Sequence, residues 1–499
     1  MNALAAFRRI VGATHVDVDP KSLDGASTAT YATTARVRAI VKPKTRDEVA
    51  KIVTFAARHR LPFYPVSGGK NWGYGSRVPP EDGCFLLDLS RMNRIVGIDA
   101  SLGTATVEPG VTFRALATKL RSGAPEWMLS VPATTSVASV MGNALDRGIG
   151  SGILADRFAH ASELEVVLPD GRVIETGFAR TDHPSSARTL APGVGPDLRG
   201  LFVQSPFGVV TRMTVALQKM PRAFQVLAFE MDTARAAARA AVALEDLRAR
   251  GAFSTAFTIW NEYRRYAQLM QFPWAAGETT LTPLLRREMR RQLRVAPWTG
   301  LLPIYGASEA HARAIASLAK EALSRCARVR RVRAPFEDSP LLGWPDDFNV
   351  GSAYWRKHME RPREANLDAD RCGVLWADAV VPFEVTTLVK LVTTWERAME
   401  RARFEPQVMV VCPWPRAAYV LALLLYDRDV PDDDARARDC RMELTRLAHA
   451  QGIGPARLPT LVMGSVAPNP LAVTIGAALD PFQICAPGRY LTSRERSRP

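Results

Sequence analysis

Residues 65–76 read P-V-S-G-G-K-N-W-G-Y-G-S, and the reading of this stretch decides the fold. Four glycines (68, 69, 73 and 75) are interleaved with Lys70, Asn71 and Tyr74. Residues 61–64 (L-P-F-Y) before it and 84–89 (C-F-L-L-D-L) after it have the composition of short buried strands. A glycine-rich loop between two strands can turn its backbone N–H groups inward as an anion-binding concavity, with no side chain in the way. A phosphate-bearing cofactor fits that description. An ordinary loop that happens to be rich in glycine fits these residues as well.

The chain has 499 residues, enough for two or three domains with buried cores. Hydrophobic residues make up 47% and charged residues 23%, the balance of a globular protein, which excludes large-scale disorder. The formal charge of +15, from 65 Lys+Arg against 50 Asp+Glu, raises a nucleic-acid, membrane or anionic-ligand partner. The basic residues are dispersed, however. R-R-E-M-R-R at 286–291 and R-V-R-R-V-R at 328–333 alternate with apolar or acidic residues, as on a solvated basic surface. Neither a nucleic-acid nor a membrane partner is expected. Six cysteines (84, 326, 372, 412, 440 and 485) stand without a C-x-x-C pair, as expected of reduced thiols in the cytoplasm. The N-terminal apolar run is too short for a secretory signal, and residues 419–426 are too short to span a bilayer.

Along the chain, residues 37–41 read as a strand. Thr45 and Glu48 then form a capping box for a helix with apolar positions Val49, Ile52, Val53, Ala56 and Ala57. Strands are expected at 95–99 and 104–108, a helix capped by Thr112 reaching Leu120, and a short helix over 137–145. A hairpin turns at P-D-G (169–171), and 207–217 form a further strand. Beyond residue 222 the pattern changes. Amphipathic helices at about 234–250, 309–328, 386–403 and 433–450 alternate with strands at 255–260, 301–305, 374–381, 407–411 and 419–426. Helices covering one face of an antiparallel sheet is the architecture this implies. The last thirty or so residues, with L-D-P-F-Q-I-C-A-P-G-R-Y at 479–490, return to turn chemistry and are expected to rejoin the first domain.

Several motifs are excluded. In the loop, Asn71 follows Lys70 where a nucleotide-triphosphate P-loop needs a hydroxyl, and G-V-G-P-D-L-R-G at 193–200 lacks the dinucleotide spacing. There is no G-x-S-x-G, no H-E-x-x-H and no paired-cysteine metal site, and the seven histidines are isolated, so no metal is expected.

Six segments in order carry a resemblance: the loop at 65–76, V-E-P-G-V-T at 107–112, G-N-A-L-D-R-G-I-G at 142–150, E-V-V-L-P-D-G at 165–171, S-P-F-G-V-V-T-R at 205–212 and the C-terminal run at 479–490. Together they resemble the vanillyl-alcohol oxidase / p-cresol methylhydroxylase flavoproteins, over nearly the whole chain and nearest the 4-alkylphenol-oxidising branch. The resemblance implies an α+β, two-domain flavoprotein: an FAD-binding domain of the p-cresol methylhydroxylase type from residues 1–222 and 463–499, and an antiparallel-sheet and helix cap from 223–462. It implies FAD as cofactor. Pro65, Val66, Ser67, Gly68, Gly69, Lys70 and Asn71 would cradle the pyrophosphate. Thr134, Thr135, Ser139, Gly142, Gly148 and Ile149 would line the flavin and its ribityl chain, Val209 the adenine side, and Arg489 and Tyr74 the flavin ring.

Substrate chemistry carries over less completely. The family binds phenolates with two tyrosines and an arginine. Tyr74 and Arg457 match one of each, whereas Ala456 stands where the second tyrosine is expected. An adjacent arginine lowers an acid's pKa by about 1–3 units, so the remaining pair still favours an anion, less strongly. Tyr74 packing the loop without touching substrate is the alternative. The carboxylate that the family sets beside the flavin falls near Thr134, and the residue that links covalently to it falls near Gly373, so noncovalent FAD is expected. Cys372 is adjacent to that position; a thioether is a chemical option for it, and an inert buried thiol is the commoner state. The reading is an FAD-dependent oxidoreductase that moves a hydride from a small aromatic or anionic substrate, at a CH–OH, CH–NH or benzylic CH group, to flavin N5. Oxygen or a redox protein such as a cytochrome would take the electrons, and a homodimer is open to it. A catalytically altered or inactive flavin-binding scaffold is the alternative.

Overall fold

The two apolar runs that flank the glycine loop become strands Phe63–Val66 and Phe85–Asp88, paired in parallel from Phe63 opposite Phe85 to Val66 opposite Asp88. The computed structural model describes residues 3–180, 186–277, 279–332, 338–465, 467 and 469–491. The sheet continues through Ile40–Val41, parallel to Phe85–Asp88, to Val16–Asp17. Helix Arg46–His59 covers it with Val49, Ile52, Val53 and Ala56. Thr45 Oγ1 accepts from the Glu48 N–H at 3.2 Å, and Glu48 Oε2 accepts from the Lys44 N–H at 2.6 Å, so the Glu48 carboxylate reaches one residue further back than an ideal capping box. The end of the chain closes the open edge. Phe63 N–H donates to Ile484 at 2.8 Å, and Ala486 N–H returns a bond to Phe63 at 2.7 Å.

A second, antiparallel sheet has the order Ile95–Asp99, Thr104–Val107, Val209–Ala216, Ala161–Val167, Val173–Glu175. Helix Phe113–Gly123 lies on it, capped by Thr112 as the sequence predicts. The short helix predicted from 137 starts at Val140, because Ser139 is its N-cap.

The cap is a seven-stranded antiparallel sheet in the order Arg328–Val332, Ala223–Met231, Trp298–Gly306, Phe257–Asn261, Gln407–Cys412, Ala417–Asp427, Cys372–Pro382. Side chains alternate between its faces. Ile259, Leu302, Val410, Val420 and Ala379 pack beneath helices Ala234–Ala249, Glu309–Leu323, Val385–Arg401 and Asp433–His449. Each fully buried Leu or Val there contributes about 1.5–3 kcal/mol. The apolar stripe read in the third helix (Leu388, Leu391, Val392, Trp395, Met399) is wholly buried, and Trp395 Nε1 donates to Leu444 O at 2.9 Å.

The chain thus folds as an α+β, two-domain molecule. Several boundaries differ from the sequence reading. The strand read at 61–64 runs Phe63–Val66, since helix Arg46–His59 ends only at Arg60 in the left-handed conformation, and the strand at 37–41 is confined to Ile40–Val41. The helix Glu262–Leu269, which carries part of the site, has no counterpart in the sequence reading. The cluster at 286–291 is not merely a solvated face: Arg286 and Arg290 clamp the buried Glu262 at 2.6 and 2.7 Å. In the other cluster Arg328 and Arg330 pair with Asp232 and Glu230, while Arg333 lies outside the described residues, as do 492–499 of the C-terminal return. Among the described residues no helix is long and apolar enough to cross a membrane. Five of the six cysteines are buried and Cys326 is partly so.

Candidate active site

The glycine loop and the free face of the cap sheet enclose one cavity of about 750 Å³. Residues 65–71 border it, and so do Tyr74, Thr134, Ser139, Gly142, Gly148, Ile149, Val209, Arg457 and Arg489. Thr135 does not. It is buried behind the lining, where its carbonyl accepts from Ala138 N–H at 3.0 Å. Ser139 borders the cavity, but its hydroxyl is engaged, donating to Pro109 O at 2.6 Å and accepting from Gly142 N–H at 2.9 Å.

The loop fits a phosphate group. The backbone N–H groups of Ser67, Gly68, Gly69 and Lys70 have no acceptor among the described residues, so successive donors line the cavity wall. The loop comes close to helix Val140–Leu145 at Gly142, where a Cβ would stand 2.2 Å from Ser67 Oγ and turn that hydroxyl aside. Gly73 (φ +80°) leaves room for the Trp376 indole, which a Cβ would meet at 2.2 Å. The loop's far end is pinned from three directions. Ser76 Oγ and Trp72 Nε1 donate to Asp368 at 2.6 and 3.1 Å, Gly73 N–H donates to Thr30 Oγ1 at 2.9 Å, and Thr460 N–H donates to Tyr74 O at 3.0 Å.

Asp146 stands at the centre of the charges. It lies in the 142–150 motif, yet the sequence alone gave no reason to single it out. It accepts from Arg489 Nη2 at 3.0 Å, from Asn71 Nδ2 at 2.9 Å and from Arg457 Nη2. Burial, the largest single influence, pushes its carboxyl up; Arg457 and Arg489 together outweigh it, and the group titrates below the usual carboxylate range. Arg489 also donates to the Tyr64 hydroxyl at 3.0 Å.

Arg457 therefore differs from its sequence reading in one respect: its charge is already balanced by Asp146. Its guanidinium carbon stands over Tyr74, 3.9 Å from the ring centroid, and its buried Nε has no partner among the described residues. A second tyrosine borders the cavity from another strand. Tyr419 lines the cavity with Tyr74, and Ala456 packs against the cluster that Tyr419 forms with Val411 and Leu421. Tyr419 in turn donates to Asp378 Oδ2, which accepts from the Arg457 backbone N–H at 3.0 Å as well. Burial raises the Asp378 carboxyl to about 6, and its Oδ1 has no partner among the described residues. Burial raises both tyrosines above the usual phenol range. The one signal for Asp378 in the sequence is a lone carboxylate in the apolar run V-L-W-A-D-A-V-V.

Neither Gly373 nor Cys372 borders the cavity. A Cβ on Gly373 would meet the Tyr426 ring at 2.4 Å, and the Cys372 thiol is buried among Tyr354, Trp355 and Leu425, where burial pushes it far up. Among the described residues no group of three or more His, Cys, Asp or Glu is placed to hold a metal ion.

A loop of free amides, a buried arginine–aspartate knot and a roofing antiparallel sheet define an FAD-binding flavoprotein, and an FAD binding domain profile matches residues 37–177. The chain is 39% identical to 1'-carboxy-chondrochloren decarboxylase of Chondromyces crocatus, over 98% of this chain and 96% of that protein. It is 26% identical to the flavoprotein subunit of 4-cresol dehydrogenase [hydroxylating] of Pseudomonas putida, over 98% and 94%. Its fold superposes on the crystal structure of p-cresol methylhydroxylase with substrate bound at a TM-score of 0.90, with 24% identity and coverage of 98% and 96%. The protein belongs to the vanillyl-alcohol oxidase / p-cresol methylhydroxylase family of FAD flavoproteins.

Proposed function

We propose that the protein is an FAD-dependent oxidase or dehydrogenase of a phenolic or related aromatic substrate. One observation carries this reading: Tyr74, Tyr419 and Arg457 meet in the cavity that the glycine loop also borders, with Asp378 behind them. When bound, FAD supplies the hydride acceptor. Residues 65–71 hold its pyrophosphate; Thr134, Ser139, Gly142, Gly148, Ile149 and Val209 border the rest of the cofactor, and Arg489 its ring end. Residues 1–222 and 463–499 form the cofactor domain, and residues 223–462 the cap. The cofactor is held noncovalently, since Gly373 offers no side chain and the Cys372 thiol lies outside the cavity.

The chain's own residues hold the substrate and move its proton. The hydroxyls of Tyr74 and Tyr419 bond the phenol oxygen, and the free Arg457 Nε–H adds a charged donor. A proton leaving the phenol passes along Tyr74 and Tyr419 toward Asp378, whose value of about 6 leaves it mostly ionised at neutral pH. Asp378 is a positioning and proton-storing residue here, since it lies behind the tyrosines. Thr134 takes no part as a base. Oxygen, or a redox protein such as a cytochrome, accepts the electrons.

The 39% identity to a decarboxylase favours a second reading, in which the same site oxidises a carboxylate-bearing substrate. A carbon–carboxylate bond breaks, releasing CO2, while a hydride leaves the adjacent carbon and a double bond forms between the two. The test of both is the purified protein. A yellow protein whose colour stays in the supernatant after acid precipitation supports noncovalent FAD, whereas colour in the pellet overturns that part. Anaerobic bleaching by phenols supports the first reading, and CO2 release with bleaching the second. A colourless protein that takes up no FAD overturns both, and a protein that holds FAD but is bleached by neither favours the inactive flavin-binding scaffold.

A further inference from the structure

At the cap end of the same cavity, the helix Glu262–Leu269 presents Arg264 and Arg265 side by side. Arg264 is 4% exposed; its Nη1 donates to Ser352 Oγ at 2.6 Å, and its buried Nε has no partner among the described residues. Arg265 Nη1 donates to Gln268 Oε1 at 2.8 Å, and Gln268 Nε2 is held by Asn349 at 2.8 Å. Among the described residues neither guanidinium makes an ion pair, whereas Arg457 and Arg489, which line the same cavity, share the carboxylate of Asp146. Asp346 borders the cavity too, but lies beyond ion-pair distance of both, in the field of Arg114 and Arg361. Burial lowers the pKa of each arginine, and Arg265 lowers that of Arg264 further. A buried cation beside a half-buried one, with no carboxylate on either, costs stability, and an anion bound between them removes that cost.

The position of the pair sets a length. Trp260, just ahead of the helix, pairs with Met409, and Met409 with Leu421, on the face that roofs the cavity. The strand Phe257–Asn261 is two strands from Ala417–Asp427, which carries Tyr419, a sideways separation of about 10 Å that the step from Trp260 into the helix lengthens further. The side chains between, Trp260, Met409, Val411 and Leu421, are apolar or aromatic.

We propose that Arg264 and Arg265 form a second, anionic subsite, and that the substrate is an elongated molecule with an aromatic head at Tyr74 and Tyr419 and a carboxylate at the end of an apolar tail. This rests on the proposed function for its aromatic end only.

The test is calorimetric titration of the anaerobic holoenzyme with 4-hydroxyphenylpentanoate and with its primary amide. The carboxylate is expected to bind about ten- to hundred-fold more tightly, the range of a charged hydrogen bond. Arg265→Gln is expected to erase that preference without changing the affinity for the amide, and Arg264→Lys to keep most of it, with melting temperature reporting the fold of each variant. Equal binding of acid and amide to the native protein, or a preference that survives in Arg265→Gln and Arg264→Gln alike, overturns the subsite. Failure of either compound to bleach the flavin, or affinities untouched by Tyr74→Phe, counts against the phenol reading instead, while the acid-to-amide ratio still judges the arginine pair.

Discussion

Arg489 donates to Asp146 at 3.0 Å, joining the segment that pairs with Phe63 to the turn that follows helix Val140–Leu145. Arg457 shares the same carboxylate, so two buried guanidinium groups from distant segments are neutralised by one residue. Asp146→Ala would strand both charges. A loss of about 3–5 kcal/mol is expected, with a smaller loss for Asp146→Asn, read from urea unfolding at pH 7. The carboxyl titrates low in the fold, so its contribution is present above the ordinary 3.8 and fades as pH falls through its lower folded value. The native protein should therefore show an acid limb in stability that Asp146→Asn lacks.

Asp378 behaves in the opposite sense. Its carboxyl is raised from 3.8 to about 6, so the fold holds this proton more tightly than the unfolded chain does. Its ionisation weakens the fold as pH rises from about 4 to 6, by about 3 kcal/mol for about two units. Activity should move the other way, with kcat/KM for a phenol rising through pH 6 as the acceptor ionises. Asp378→Asn is expected to flatten that rise and lower kcat/KM by about 10²-fold. A rise that persists unchanged in Asp378→Asn would remove Asp378 from the proton path.

Tyr74 and Tyr419 act on the same ligand oxygen, so their effects should not add. Each Tyr→Phe change is expected to weaken binding of a phenol by about 1–2 kcal/mol, and the double variant by less than the sum. Flavin difference spectra of the four proteins complete the cycle. Strict additivity would mean that the two hydroxyls do not share a ligand.

Gly73→Ala tests the seam between loop and cap. The added Cβ meets the Trp376 indole at 2.2 Å, on a backbone at φ +80°. A loss of about 1–3 kcal/mol from overpacking is expected, together with a lower FAD-to-protein ratio after gel filtration. Trp376→Leu in the same chain should restore part of the stability but not the strain of the left-handed backbone.

Cys372 is buried with its thiol held far above the ordinary value, so it should resist iodoacetamide until the fold is opened by denaturant. Mass spectrometry of the native and unfolded protein distinguishes this from a flavin thioether, which would survive denaturation as added FAD mass.

The loop at 65–76 could be read from sequence because its chemistry is local: consecutive glycines free backbone donors wherever the loop lies. The same holds for the Thr112 cap and the apolar stripe at 388–399, which are set by spacings of three and four residues. Asp146 and Asp378 could not be read that way. Each is one acidic residue among dozens until folding places arginines or tyrosines around it. Tyr419 shows the limit most plainly. A motif argument looks for a tyrosine next to Arg457 and finds Ala456, whereas the sheet brings Tyr419 from a separate strand to the same cavity. By itself, then, the sequence determined the anion cradle, the alternating faces of the cap strands and the order of the motifs. Only the tertiary structure decided which charges are spent on one another at Asp146 and which, at Arg264 and Arg265, are left for a ligand, because charge balance depends on distance through space and not on distance along the chain.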